Sequence, residues 1–202
     1  MVNASDSTRA QSDAGIDAIV VGGSAGAIDA LGKLLSGLPA TFAPPVIVVV
    51  HLPPRRQSLL PELFARKCVL AVHEPEDKQP VGAGIWFAPP DYHLLVEADH
   101  TFALSIDEPV KFSRPSIDVL FESAARAYEE RLLAVVLTGA NDDGALGAQA
   151  IRNAGGRVVV QDPSTAEAPE MPRAAIAHAA PQMIGTVPEL AAELIRASGW
   201  RA

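Results

Sequence analysis

The feature that most constrains this chain is the run Val-Ile-Val-Val-Val at positions 46–50. Five consecutive β-branched residues leave no polar face, so the segment predicts a strand covered on both sides, as in a parallel sheet flanked by helices. The segment 16–23 (IDAIVVGG) is a similar apolar run that ends in glycines, and Ile28, Leu31, Leu34 and Leu35 follow it at helical spacing. Residues 45–52 are followed in the same way by Leu59, Leu60, Leu63 and Phe64 within 58–67. Further on, 132–137 (LLAVVL) precedes a helical stretch at 144–153 that stops at Gly155-Gly156, and 158–161 reads as one more strand.

Alternating strand and helix units predict an α/β fold: a doubly wound, mostly parallel sheet with helices on both faces. Between residues 69 and 106 the pattern breaks into short segments at 85–88, 93–96 and 102–106, separated by turn signals, which predict a small antiparallel hairpin insertion. A helix is expected over 115–130, with Ile117, Leu120, Phe121, Ala124, Ala127 and Tyr128 on one face and Asp118 in its first turn. Residues 162–173, with three prolines, read as an ordered loop, and a short helix, 182–185 and 189–198 close the domain. The expected organisation is a flexible N-terminal tail over 1–15 and one catalytic-sized domain over 16–202. An apolar fraction of 49% with only 5% aromatics suits an Ala/Val/Leu/Ile core between helices and strands.

Sixteen basic against twenty-four acidic residues give a formal charge of −8, and Lys and Arg are nowhere concentrated, so no nucleic-acid partner is expected. Cys68 is the single cysteine, which excludes an internal disulfide and a cysteine-built metal site. The polar first fifteen residues carry no apolar signal core, and no eighteen-residue apolar run occurs, so the expectation is a cytoplasmic protein without membrane insertion.

Doubly wound sheets build their sites beyond the carboxyl ends of the strands. After the first run stands Gly22-Gly23-Ser24-Ala25-Gly26, the G-x-S-x-G form of a turn that exposes a serine hydroxyl and aims helix N–H groups at the same space. Ser24 as a plain helix cap is the bland alternative. A dinucleotide loop fits poorly, because serine stands where the second glycine of G-x-G-x-x-G belongs and the next strand ends in His51-Leu52-Pro53-Pro54 rather than an acid. His51 delivers an imidazole beside the serine if the first two strands are neighbours; bonded to a loop carbonyl, it would be structural.

The run at 132–137 leads to Thr138-Gly139-Ala140-Asn141-Asp142-Asp143-Gly144, where either aspartate could orient an imidazole and Asp143 could equally cap the following helix. His73, His93, His100 and His178 lie in or near loops or a short helix and form no close ligand pair, so no metal site is expected. Serine, histidine and aspartate, each after a separate buried run, make a serine hydrolase possible, in the chain order Ser, His, Asp.

The blocks VVGGSAGAIDAL (20–31), VVVHLPP (48–54), FSRPSIDVLFESAA (112–125) and VVLTGANDDGALG (135–147) resemble the catalytic domain of CheB-type chemotaxis protein-glutamate methylesterases. The stretch at 88–97 and QDP with MPRAAI at 161–176 fit as well, so the likeness runs collinearly over about 16–197. The resemblance implies a Rossmann-like three-layer fold with Ser24 as nucleophile, His51 as base and Asp143 as the orienting acid. It implies backbone amides of Ala25 and Ala140 at the oxyanion, Arg114, Pro115 and Ser116 beside the substrate groove, and no cofactor. The implied reaction removes methyl groups from glutamyl methyl esters of a methylated chemoreceptor or similar signalling protein, with glutamine deamidation a related activity.

The sequence departs from the family pattern at Ala25, Ala140 and Ser113, where a hydroxyl residue, methionine and histidine are common. The fifteen or so residues before the first strand are too few for the receiver domain of the full regulatory protein, so a stand-alone esterase or a fragment is expected. Two other readings use the same residues: a catalytically weak receptor-binding adaptor, suggested by Ala25 and Ala140, and an esterase acting on another acyl substrate.

Overall fold

The computed structural model describes residues 15–51 and 58–199. The tail expected over 1–15 lies, but for Gly15, outside the described residues, as do Leu52, Pro53 and Pro54. The strands are β1 (Ala18–Gly23), β2 (Val46–Val50), β3 (Val72–His73), β4 (Ile85–Phe87), β5 (His93–Val96), β6 (Phe102–Ser105), β7 (Leu132–Val136), β8 (Arg157–Gln161) and β9 (Met183–Gly185). The helices are α1 (Ala27–Leu35), α2 (Leu60–Ala65), α3 (Ile117–Tyr128), α4 (Ala145–Asn153), α5 (Glu170–Ala179) and α6 (Val187–Ala197).

Seven strands form one parallel sheet in the order β3-β4-β2-β1-β7-β8-β9, and β5 and β6 make a separate antiparallel pair. The all-apolar run works as its composition demands, because successive side chains of a strand point to opposite faces. Val46, Val48 and Val50 join the core under α1, α2 and α6, while Ile47 and Val49 join the core under α3, α4 and α5. β1 and β7 divide the same way: Ile19, Val21, Leu133 and Val135 face one layer, and Ala18, Val20, Ala134 and Val136 the other.

Two expectations are corrected. The antiparallel strand pair is β5 with β6; β4, expected within the insertion, pairs in parallel with β2, and His73, expected in or near a loop, lies in the edge strand β3. Three apolar residues, Ile85 to Phe87, carry no signal of direction, and only burial of both faces against β2 decides it. In addition, α2 is six residues long where ten were expected, and α5 begins at Glu170, within the stretch read as loop.

The strand order makes β1 the centre of two oppositely winding halves, with β2 on one side and β7 on the other. The crevice beyond its carboxyl end is therefore the switch point where doubly wound sheets hold their sites.

Candidate active site

Register brings the first two residues together. Gly23 pairs with Val50, so Ser24 and His51 are each the next residue out of adjacent parallel strands, and the His51 N–H donates to the Gly23 carbonyl at 3.3 Å. On the other flank the Ser24 N–H donates to the Thr138 carbonyl at 2.9 Å. The chain then turns through Gly26 at φ 76°, a left-handed conformation that favours glycine, and a Cβ there would lie 2.7 Å from Glu167 Cβ. The Thr138 hydroxyl donates to the Ala25 carbonyl at 2.9 Å and accepts from the Ala168 N–H at 2.8 Å, tying the turn to the 162–169 loop. Ser24 is half-buried, Ala25 and Ala140 are exposed, and among the described residues the N–H groups of Ala25 and Ala140 have no acceptor.

Asp143 meets His51 across 92 residues of sequence: Nε2 lies 2.8 Å from Oδ2. An ionised carboxylate only accepts, so Nε2 carries the hydrogen and, in the neutral ring, Nδ1 keeps its lone pair. The only side chain hydrogen-bonded to Nδ1 among the described residues is Ser113, whose hydroxyl is 3.5 Å away; Ser24 makes no hydrogen bond to the ring.

Asp143 is fully buried and accepts four hydrogen bonds. Oδ1 takes the Ser116 hydroxyl at 2.8 Å and the Asp118 N–H at 3.0 Å, and Oδ2 takes the Ile117 N–H at 2.7 Å beside His51. Burial pushes the carboxyl pKa up, but the hydrogen bonds from His51, the α3 backbone and Ser116 outweigh it and hold the group below the usual carboxylate value. The side chain thus caps α3, not the Gly144 helix it precedes in sequence. α4 is capped in exchange by Asp118, whose Oδ1 accepts the Gly144 and Gly147 N–H groups at 2.9 and 2.8 Å. Asp118 within α3 satisfies the first turn of α4, and Asp143 just before α4 satisfies the first turn of α3.

The remaining expected residues sit around this exchange. Ser116 has 0% exposure and its hydroxyl is on Asp143, so it supports the carboxylate from within instead of lining the groove surface. Pro115 is buried with it. Among the described residues Arg114 meets no carboxylate; its Nη1 donates to the Ile106 and Asp107 carbonyls at 2.8 and 2.9 Å. Asp142 is exposed and pairs with Lys111 at 3.2 Å, while Lys111 also reaches Asp118 at 3.0 Å. Burial lowers the Lys111 pKa, but these two carboxylates outweigh it and raise the value.

Sequence reasoning missed three contributors. His93, expected at the start of the short segment 93–96 and given no role, is buried in β5; its Nδ1 accepts the Ser116 N–H at 3.1 Å and its other nitrogen contacts the Glu108 carbonyl at 3.1 Å. Thr138 and Asp118 are the others, and an aspartate buried on the apolar side of an amphipathic helix was the available signal for the second. Among the described residues no group of three or more His, Cys, Asp or Glu side chains is placed to hold a metal ion.

The fold accords with comparisons to known proteins. A putative protein-glutamate methylesterase/protein-glutamine glutaminase of Leptospira interrogans is 45% identical over 181 residues, covering 89% of this chain and 94% of that one. A protein of the same function in name from Trichodesmium erythraeum is 36% identical over 188 residues; the match covers 91% of this chain but 53% of the relative. The crystal structure of the Thermotoga maritima CheB methylesterase catalytic domain superposes with a TM-score of 0.86 at 29% identity, covering 91% of this chain and 99% of that domain. The family model described as CheB methylesterase matches residues 19–194, from β1 into α6, and on that collinear span the chain belongs to the CheB methylesterase family.

Proposed function

We propose that the protein is a serine hydrolase that demethylates glutamyl γ-methyl esters on a chemoreceptor-type signalling protein. The observation that carries this reading is the 2.8 Å contact of His51 Nε2 with the buried Asp143 carboxylate, at a strand end in register with Ser24. Ser24 Oγ attacks the ester carbonyl while His51 Nδ1 takes its proton; Asp143 stabilises the imidazolium that forms. The N–H groups of Ala25 and Ala140 receive the oxyanion. The proton returns from Nδ1 to the departing methoxide, methanol leaves, and water deprotonated by Nδ1 releases glutamate from the acyl-enzyme. With a glutamine side chain the same steps release ammonia, matching the paired activities in the relatives' names.

Ser116 holds the Asp143 carboxylate, and Arg114 ties the adjoining turn to the Ile106 and Asp107 carbonyls. Among the described residues no helix is long and apolar enough to cross a membrane, and the reading places the protein in the cytoplasm, where the signalling domain of such a receptor lies.

The test is methanol release from a peptide carrying a γ-methyl glutamyl ester. Wild type should turn over, and Ser24→Ala should lose several orders of magnitude in kcat; equal rates reject the assignment. A second reading takes Ser113, 3.5 Å from His51 Nδ1, as the attacking hydroxyl. Loss of turnover in Ser113→Ala with retention in Ser24→Ala would select it.

A further inference from the structure

Beside the proposed site the chain makes a two-residue hairpin turn. The Val110 N–H donates to the Ser113 carbonyl at 3.1 Å and the Ser113 N–H to the Val110 carbonyl at 2.9 Å, which leaves Lys111 and Phe112 at the tip with φ of 48° and 63°. Two successive positive φ values suit Asn-Gly, and a bulky side chain there is an outlier. Its neighbours on both sides are fastened: Lys111 to Asp118 and Asp142, Arg114 to the Ile106 and Asp107 carbonyls. Among the described residues nothing packs on Phe112, whose relative exposure is 104%. An exposed phenyl in a strained conformation adds nothing to the fold, and such strain gathers where function needs a side chain presented.

We propose that Phe112 is a specificity-determining residue that receives an apolar side chain of the substrate protein next to the glutamyl ester. The inference rests on the reading of Ser24, His51 and Asp143 as the acyl-transfer site. Ser113, the next residue, has its hydroxyl 3.5 Å from His51 Nδ1, and consecutive Cα atoms are about 3.8 Å apart, so the exposed Phe112 is carried on the residue adjoining the one that reaches the proposed base. Side chains one turn apart on a helix are separated by about 5–6 Å, an offset of the same order. Ile106, 73% exposed and held through Arg114, adds hydrocarbon to the same rim. Lys111 is paired with Asp118 and Asp142 and the Arg114 Nη1 is turned onto two backbone carbonyls, so the exposed surface at this rim is the hydrocarbon of Phe112 and Ile106, which suits an apolar flank.

The experiment uses two helical peptides, each with one γ-methyl glutamyl ester, flanked four residues away on both sides by Leu in one and by Gln in the other, and N-acetylglutamic acid γ-methyl ester as the minimal substrate. Methanol release is measured for the full chain, for Phe112→Asn, which suits positive φ, and for Phe112→Leu. Wild type should prefer the Leu peptide to the Gln peptide and to the minimal ester. Phe112→Asn should lower that preference about tenfold, through KM, with Tm equal to or above wild type; Phe112→Leu should keep most of the preference. A preference unaltered by Phe112→Asn overturns the inference, as does an active wild type that treats the two peptides alike; both leave the catalytic reading standing. Undiminished turnover in Ser24→Ala overturns that reading and the inference with it.

Discussion

Replacing Asp143 tests how far the fold and the site depend on one carboxylate. Asp143→Ala strands the Ile117 and Asp118 N–H groups at the start of α3, the Ser116 hydroxyl and the His51 N–H. A lost helix-capping acceptor costs about 1–2 kcal/mol and each buried donor left unsatisfied about 1–3. These penalties overlap because the first turn of α3 can relax, so the expected loss is about 3–5 kcal/mol, the range for removing one partner of a buried pair. Asp143→Asn keeps one acceptor oxygen but turns an amide N–H₂ toward donors, and should lose roughly half as much. Urea denaturation at neutral pH reads both values.

The pH dependence has a definite sign. The folded-state pKa of Asp143 lies below its unfolded value of about 3.9, so its contribution is fully present above that value and is lost as pH falls through the lower, folded-state pKa. The stability gap between wild type and Asp143→Asn should therefore narrow on acidification. A loss under about 1 kcal/mol for Asp143→Ala, or a gap that widens as pH falls, would refute the reasoning.

Three further outcomes follow from close contacts. A Cβ at Gly22 would lie 2.4 Å from Ile117 Cγ2, so Gly22→Ala should destabilise by about 1–3 kcal/mol, and Ile117→Ala in the same chain should recover part of that, as a double-mutant cycle in urea would show. Asp118→Ala uncaps α4 at Gly144 and Gly147 and should cost about 1–3 kcal/mol, less than additively with Asp143→Ala. Thr138→Val removes the bond to the Ala25 carbonyl; kcat should fall about tenfold with little change in KM, and Thr138→Ser should restore it.

The sheet was legible in the sequence because its central strands are apolar on both faces: Val46–Val50 could be nothing but a covered strand. Ser24 and His51 were legible as strand-end residues for the same reason. Their adjacency to Thr138 was not, since β7 reaches β1 only after more than a hundred residues and no local pattern encodes strand order. β4 was assigned to the wrong sheet because three residues cannot signal direction.

The aspartates show the limit most clearly. Local capping rules favour Asp143 as the cap of the helix it precedes, yet the carboxylate crosses to α3, while Asp118, inside α3, crosses to α4. Propensity describes a helix with its own flanks, whereas here two helix starts lie against each other and exchange caps, a tertiary arrangement outside any sequence window. His93 was passed over likewise, because its role is to accept an N–H from Ser116, a partner 23 residues away.

The most direct test of the catalytic assignment is to map where a serine-directed fluorophosphonate attaches. Peptide mass spectrometry of the labelled full chain should place a single adduct on Ser24, with labelling lost in His51→Ala. An adduct on Ser113, or labelling of Ser24 at the same rate without His51, would contradict the account.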